Sequence, residues 1–422
     1  MSGGSRHDPY AAFRHRDYCL FAAGALLANT SHAMQEAAVG WELYERTGSP
    51  MPLALTGLVQ ALPVFLLALP AGHAADRFER RRIAILMQLV MAVASLGIAF
   101  LSHTRGPINA FYLCLFVGGC ARSFNFPAQA SLLPQLVPLE SFANAVTWRS
   151  SGFQLASVLG PVLAGWVIAW HKAATPVYFV NAALMITFAA FLVLIRKRQV
   201  VAASSEPLTL RSVLAGVRFV WNTKVILAAI TLDMFAVLLG GATALLPIYA
   251  KDILHVGPAG YGWLRAMPGV GALVMALFIA HRPPQRAGVT LLWAVAGFGA
   301  ATIVFGLTRW FWLSLWMLYV LGALDNISVV VRHTLVQVLT PDAMRGRVSA
   351  VNSAFITTSN ELGAFESGAV AVLGGKMFST ALAGVVFSVV FGGVGTIVVV
   401  ALAALAWPQL RRLGPLQQQT AP

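Results

Sequence analysis

The chain has 422 residues, of which 58% are apolar and only 10% charged, with a mean hydropathy of +0.75. A soluble domain carries about 25% charge and about 45–50% apolar residues, so there is too little polar surface here to cover a water-soluble body, and the same balance excludes intrinsic disorder. The class left is a polytopic membrane protein, and the net charge of +14, which alone would point to nucleic acid, needs another account.

From the N-terminus, MSGGSRHDPYAAFRHRD is polar and basic. The apolar run that follows is long and shows no small-residue cleavage site, so it reads as a retained first span. A helix needs about 20 mostly apolar residues to cross a bilayer. Windows of that length fall at 18–40, 51–71, 82–101, 108–131, 142–169, 175–195, 224–247, 260–280, 288–307, 311–333, 348–373 and 378–405. Such dense spans with short connections suit a helical bundle, not a barrel of strands about ten residues long. The one long polar connection, 196–223, ends in an amphipathic stretch suited to lie at the interface. The expected fold is therefore all-α and polytopic, with twelve transmembrane helices in two pseudo-symmetric six-helix halves. Its parts are a tail (1–17), a first half (18–195), the linker (196–223), a second half (224–405) and a second tail (406–422). Cys19, Cys114 and Cys120 sit in or beside apolar runs; an odd count without C-x-x-C gives no disulfide framework and no metal site.

Basic residues favour the cytoplasmic side of a membrane. With the N-terminus inside, 19 of the 29 Lys and Arg fall in inside segments. Six fall outside, one per loop (Arg46, Arg105, Lys172, Lys251, Arg309, Lys376), and four (Arg122, Arg149, Arg265, Arg332) fall within or beside spans. The basic excess is thus a record of topology, with both termini cytoplasmic, and no nucleic-acid partner is expected.

A weak internal repeat supports two halves. Gln60-Ala61-Leu62-Pro63 aligns with Arg265-Ala266-Met267-Pro268 at an offset of 205, which also places Arg77 on Arg282 and Arg81 on Arg286. At an offset of 203, Pro138 meets Pro341 and Leu159-Gly160 meets Leu362-Gly363.

The loop after the second span reads Gly72-His73-Ala74-Ala75-Asp76-Arg77-Phe78-Glu79-Arg80-Arg81-Arg82. Four arginines would suffice to fix topology; the acid asks for more, because an Asp at a helix end can pair with arginines or face a neighbouring helix N-terminus and lock one state of a bundle. Gly72, Asp76, Arg77, Arg80 and Arg81 are therefore candidate gating residues. In the fifth span, Gly160-Pro161 with Gly165 combines a bend with close helix contact, as a rocking helix would need. Gly72-x-x-x-Asp76-Arg77-x-x-Arg80-Arg81 resembles the signature loop of the major facilitator superfamily, with Glu79 where that motif usually has Gly. Gly160-Pro161 resembles the glycine-proline motif of its antiporters, with Ala156 where a Gly is often seen. Ala38-Val39-Gly40-Trp41-Glu42-Leu43-Tyr44, Arg122-Ser123-Phe124-Asn125-Phe126-Pro127 and Arg345-Gly346-Arg347 extend the likeness over nearly the whole chain, towards the bacterial branch named for transmembrane secretion effectors. The resemblance implies a bacterial inner-membrane transporter, proton antiport, and export of siderophores or drugs.

Ionisable groups inside spans are costly, so each needs a role or a partner. Arg122 corresponds by resemblance to the basic residue of a motif tied to proton transfer, and at an offset of 203 it matches Asp325; the rival reading is a structural cation. Asp233 lies about 13 Å into the seventh span at 1.5 Å per residue, either a proton site or half of a buried ion pair. Asp325 carries the same alternatives. Glu361 and Glu366 point about 140° apart on their helix and do not share a site; Glu361 is the deeper candidate. Glu36 lines an outer vestibule or meets interfacial water. Asp233, Asp325, Arg122, Glu361 and Glu36 are thus the candidate proton-coupling residues. Trp148, Trp263 and Trp293 could line a cavity for a flat lipophilic solute or simply face lipid.

The leading expectation is a monomeric, proton-coupled exporter of a small amphiphile, in contact with membrane lipid and without a cofactor. Uptake or uncoupled facilitation on the same fold is one alternative, and a non-transporting scaffold or receptor another. Neither G-x-G-x-x-G, H-E-x-x-H nor a Walker motif is present, which argues against an enzyme or an ATP-driven pump. Topology is testable directly: green-fluorescent reporters fused after residues 82 or 206 should be bright and phosphatase fusions there inactive, with the reverse after residues 172 or 376. Phosphatase activity after residue 206 would overturn the assignment.

Overall fold

The computed structural model describes residues 8–196, 210–282, 284–411 and 413–414, and among them every regular element is helical. After a 3-10 turn at Ala11–Arg14 come α1 (Arg16–Thr47), α2 (Pro50–Arg77), α3 (Arg80–His103), α4 (Ile108–Leu136), α5 (Leu139–His171), α6 (Thr175–Leu194), α7 (Leu210–Asn222) and α8 (Lys224–Leu239). There follow α9 (Leu246–Ile248), α10 (Gly257–His281), α11 (Ala287–Leu307), α12 (Phe311–Leu339), α13 (Asp342–Met377), α14 (Ala381–Ala406) and α15 (Pro408–Arg411). Residues 1–7, 197–209 of the linker, 283, 412 and 415–422 lie outside the described residues.

Nine helical stretches of the described residues are long and apolar enough to cross a bilayer: α2, α3, α5, α6, 224–253, α10, α11, α12 and α14. Between 17% and 56% of each most apolar window is buried within the protein. The remainder, with exposed side chains such as Phe100, Trp166 and Leu405, would be untenable in water and faces lipid. The protein is an all-α polytopic membrane protein. The windows at 18–40, 108–131 and 348–373 are also helical, as α1, α4 and α13, but stand outside the nine. They carry the polar residues: Asn29, His32, Gln35 and Glu36 on α1, Arg122 and Asn125 on α4, and Asn352, Glu361 and Glu366 on α13.

The seventh window, read as one helix over 224–247, is broken. α8 stops at Leu239, and Gly240-Gly241 lead through a 3-10 turn (Ala242–Leu245) and α9 into a π turn at Tyr249–Ile253. The glycines are required by space: a Cβ on Gly240 would lie 2.5 Å from the Phe298 ring, and one on Gly241 2.6 Å from the Gly363 carbonyl. By contrast, Thr308–Trp310 separate α11 from α12, so that boundary falls where hydropathy places it.

The chain forms two compact units, residues 1–38 with 62–207 and residues 39–61 with 208–422. The first is centred on Tyr18, Phe21, Leu132, Met185 and Phe188, where α1, α4 and α6 meet. The second has one apolar cluster joining α8, α11, α12 and α14 and another joining α7, α8, α12 and α13. It also holds the far end of α1 and the start of α2, which turn at Gly48 with φ +61°, a left-handed conformation suited to glycine. There Trp41 meets Tyr261 with ring centroids 5.7 Å apart, the Tyr44 hydroxyl donates to Asp252, and Gly368 admits Ala54. Hydropathy shows where helices cross, not which neighbours they choose, so this tip is not readable from the spans.

Small residues let backbones touch. A Cβ on Gly271 of α10 would run into the Tyr319 carbonyl of α12, and one on Gly322 into the Pro268 carbonyl of α10. Gly322→Ala should therefore destabilise by about 1–3 kcal/mol through overpacking, read as a lower unfolding midpoint in detergent. Gly346→Ala, where a Cβ meets no described atom within 4 Å, should leave the midpoint unchanged. Equal midpoints for both would refute the close seam.

Candidate functional site

In the second unit, α8 and α12 bring Asp233 and Arg332 into a buried ion pair, their side chains 5% and 2% exposed. The Ser328 hydroxyl donates to Asp233 Oδ1 at 3.1 Å. Asp325, Ser328 and Arg332 stand three, four and seven residues apart on α12 and so share a helix face. Asp233, Ser328 and Asp325 line one small cavity with Val295, Phe298 and Leu324, with room for about one water molecule. Among the described residues Asp325 has no hydrogen bond or cationic partner. Two acids thus border one water-sized space, one neutralised by an arginine and the other not. Arg332 is the member that sequence reasoning counted without assigning a partner; its helical spacing from Asp325 was the available signal.

In the first unit, Glu36 and Arg122 also come together. Arg122 Nη1 stands 3.8 Å from Glu36 Oε1, an ion pair too long for a hydrogen bond, and His32 Nε2 lies 3.2 Å from the same oxygen. The Arg122 side chain is 48% exposed, so this cluster is far more open than the Asp233–Arg332 pair. Next to it, Asn181 donates to Gln35 and to Ser95 Oγ (3.1 Å), and Ser95 donates to the Tyr178 carbonyl (2.9 Å). This polar line ties α1 to α3 and α6 beside Glu36. His32, Gln35 and Asn181 were not singled out from sequence, although His32 and Glu36 stand four apart on one face.

Gly160 lies against the same stretch of α1: a Cβ there would be 2.5 Å from Ala33 Cβ and 2.8 Å from the Thr30 carbonyl. Pro161 and Gly165 are buried beside it. The glycine-proline motif thus presses α5 onto the α1 turns that carry His32 and Glu36.

The basic loop is stitched to its neighbours. Arg80 Nη1 donates to the Ser131 carbonyl at the end of α4 (3.3 Å), and Arg81 to the Ile195 carbonyl beyond α6. Glu79 pairs with Arg82 at 2.5 Å and Arg81 at 3.5 Å. Arg77 is exposed at the end of α2, and a Cβ on Gly72 would meet no described atom within 4 Å. The Asp76 side chain lies outside the described residues. Glu361 stands apart from Asp233 and Asp325, its Oε2 2.6 Å from where a Gly57 Cβ would be, on the seam between α13 and α2. Among the described residues no group of three His, Cys, Asp or Glu is placed to hold a metal.

Removing one partner of a buried ion pair strands the other charge, at a cost of about 3–5 kcal/mol, whereas replacing both by apolar residues is often neutral. Asp233→Leu should therefore markedly lower the unfolding midpoint in detergent, and adding Arg332→Met should restore most of the loss. A double variant no more stable than Asp233→Leu would refute the pairing.

Residues 7–410 match the transmembrane secretion effector family. The enterobactin exporter EntS of Citrobacter koseri is 28% identical over 379 residues, covering 89% of this chain and 88% of that protein. EntS of Escherichia coli O1:K1 is 26% identical over 389 residues, covering 91% and 89%. Among solved structures, a bacterial homologue of the human lysosomal transporter Spinster, inward-facing and unoccupied, superposes with a TM-score of 0.75 at 16% identity, over 97% of this chain and 99% of that one. A bacterial homologue of the iron transporter ferroportin, also inward-facing, gives 0.68 at 16% identity, over 92% and 99%. The nucleoside transporter NupG gives 0.71 at 11% identity, over 92% and 99%. The match in sequence spans nearly the whole chain and the shared architecture is that of solved transporters: the protein belongs to the transmembrane secretion effector family of the major facilitator superfamily, and is a multi-pass bacterial membrane transporter, not an enzyme.

Proposed function

We propose that the protein is a secondary active exporter that couples inward proton movement to outward movement of a small amphiphilic molecule, of siderophore-like or drug-like chemistry. In this reading twelve spans form two six-helix halves, 18–195 and 224–405, that alternate access to a solute. The protein works as a monomer in the inner membrane, both termini in the cytoplasm. The two EntS relatives are named as exporters of enterobactin, which supports the direction and the solute class.

The observation that carries coupling is Asp325, a carboxyl without a partner among the described residues, sharing a water-sized cavity with the Asp233–Arg332 pair. A proton arriving on Asp325 removes a negative charge from this low-dielectric space. Passed through one water to Asp233, it would neutralise that carboxylate and leave the arginine charge uncompensated. The cost of that stranded charge is what lets a proton bias the position of α8 against α12. Glu36 and Arg122, with His32, offer a second and more exposed place for the same exchange. Asp76 with Arg77, Arg80 and Arg81 serves as the gate after α2, and Gly160-Pro161 with Gly165 as the flexing contact of α5 on α1. Glu361, on the α2–α13 seam, is the remaining candidate acid.

Inverted vesicles bathed in a fluorescent amphiphilic dye, which then meets the cytoplasmic face, and energised by an acid-inside pH gradient test this reading. Asp325→Asn should abolish uphill dye movement at unchanged protein level, while downhill exchange survives with less than a tenfold loss. Uphill transport by Asp325→Asn at the unsubstituted rate would overturn the coupling assignment, and gradient-independent transport by the natural sequence would overturn antiport.

A further inference from the structure

Arg149 lies ten residues into α5, about 15 Å from its start at 1.5 Å per residue. Among the described residues it has neither a hydrogen bond nor an acidic partner. It lines a cavity of about 20 Å³ between α1 and α5, together with Tyr18, Phe21, Asn29, Trp148 and Gly152. Asn29 is likewise without a hydrogen bond among the described residues, whereas the Tyr18 hydroxyl is engaged, donating to the Ala145 carbonyl at 3.0 Å. Two unengaged polar groups, one a guanidinium and one an amide, therefore face a space walled by aromatic rings.

The wall is held in place. The Trp148 indole N–H donates to the Pro9 carbonyl at 2.8 Å, and Tyr10 stacks on the same indole at 5.7 Å. Asn144 fastens that N-terminal segment from both sides, accepting from the Ala12 amide (3.1 Å) and donating to the Pro9 carbonyl (2.7 Å). A cation in a span without a counter-charge is expensive to keep. Arginine's fixed fork of donors matches an oxyanion in two parallel hydrogen bonds.

We infer that this cavity is an anion subsite that takes the carboxylate of the solute. Arg149 binds the oxyanion and Asn29 donates a further hydrogen bond. The space admits the carboxylate alone, so the rest of the solute lies outside it. This rests on the reading that the protein carries a small solute; the same oxyanion chemistry is offered by the phosphate of an anionic lipid.

The test is equilibrium binding of radiolabelled benzoate to the purified full-length protein in phosphatidylcholine nanodiscs, with neutral benzamide as comparison. Benzoate should bind and benzamide should not. Arg149→Gln should raise the benzoate Kd at least tenfold, and Arg149→Lys by less. Gly152→Leu, at a position where a Cβ meets only Leu26 Cδ1 at 3.9 Å, should fill the cavity and weaken binding with Arg149 intact; it decides the matter if Arg149→Gln fails to fold. Absence of benzoate binding by the natural sequence, or binding unchanged in both Arg149→Gln and Gly152→Leu, would overturn the subsite. Loss of benzoate binding when phosphatidylglycerol replaces part of the phosphatidylcholine would overturn the solute in favour of a lipid headgroup. No proton gradient enters this measurement, so benzoate binding with failed dye export counts against the transport reading alone. Dye export without benzoate binding counts against the subsite alone.

Discussion

A charge inside a bilayer cannot borrow water, and in the second unit that constraint is met by Asp233 and Arg332 holding each other across α8 and α12. The pair needs both helices in one register, because sliding either by a turn would part the carboxylate from the guanidinium. The apolar clusters around it, from Ala229 and Leu232 to Leu291, Val331 and Leu335, pack in the frame which that register sets. Such an arrangement is poor as a source of stability, since two desolvated ions return little more than their burial costs. It is well suited to a switch, because altering one charge changes what the other requires.

The first unit handles the same problem with looser means. Glu36 is shared by His32 and Arg122 at 3.2 and 3.8 Å, partly exposed, and α1 is steadied instead by the amide and hydroxyl line from Gln35 through Asn181 to Ser95. Gly160 brings α5 against this same stretch, so the polar turns of α1 have a smooth backbone surface on one side and a hydrogen-bonded anchor on the other. One unit thus has a closed, neutralised pair and the other an open cluster, although both join an acid on one helix to an arginine on another.

Much of this was legible from residue order. Scarcity of charge identified the membrane class, and the helices follow the apolar windows closely, including the separation of α11 from α12 at Thr308–Trp310. Family membership was readable in the Gly72–Arg81 loop and the Gly160-Pro161 motif. Three things were hidden. The partner of Asp233 was one, because pairing is made through space and Arg332 looked no different from the other arginines within spans. The break after Leu239 was another, since Gly240, Gly241 and Pro247 sit in a run whose hydropathy alone reads as continuous helix. The third was the docking of residues 39–61 with the second unit, where Tyr44, Trp41 and Gly57 find partners that no periodicity encodes.

The break after α8 bears on how the protein is made. Apart from the Ala236 carbonyl of α8 itself, the atoms that crowd Gly240 and Gly241 belong to Phe298, Gly363 and Ser367, and Gly392 reaches the Leu239 carbonyl. Thr396 adds a hydrogen bond to the Ala236 carbonyl at 3.3 Å. All of these leave the ribosome after residues 224–253. While α8 enters the membrane its freed carbonyls have no partners, and in lipid an unsatisfied carbonyl favours continued helix. The nascent segment is therefore favoured to insert as one straight rod and to acquire its bend only once α13 and α14 have been synthesised. The mature form of this span is in that sense written by the last hundred or so residues of the chain, and truncation near the C-terminus would be felt in a helix whose own sequence is intact.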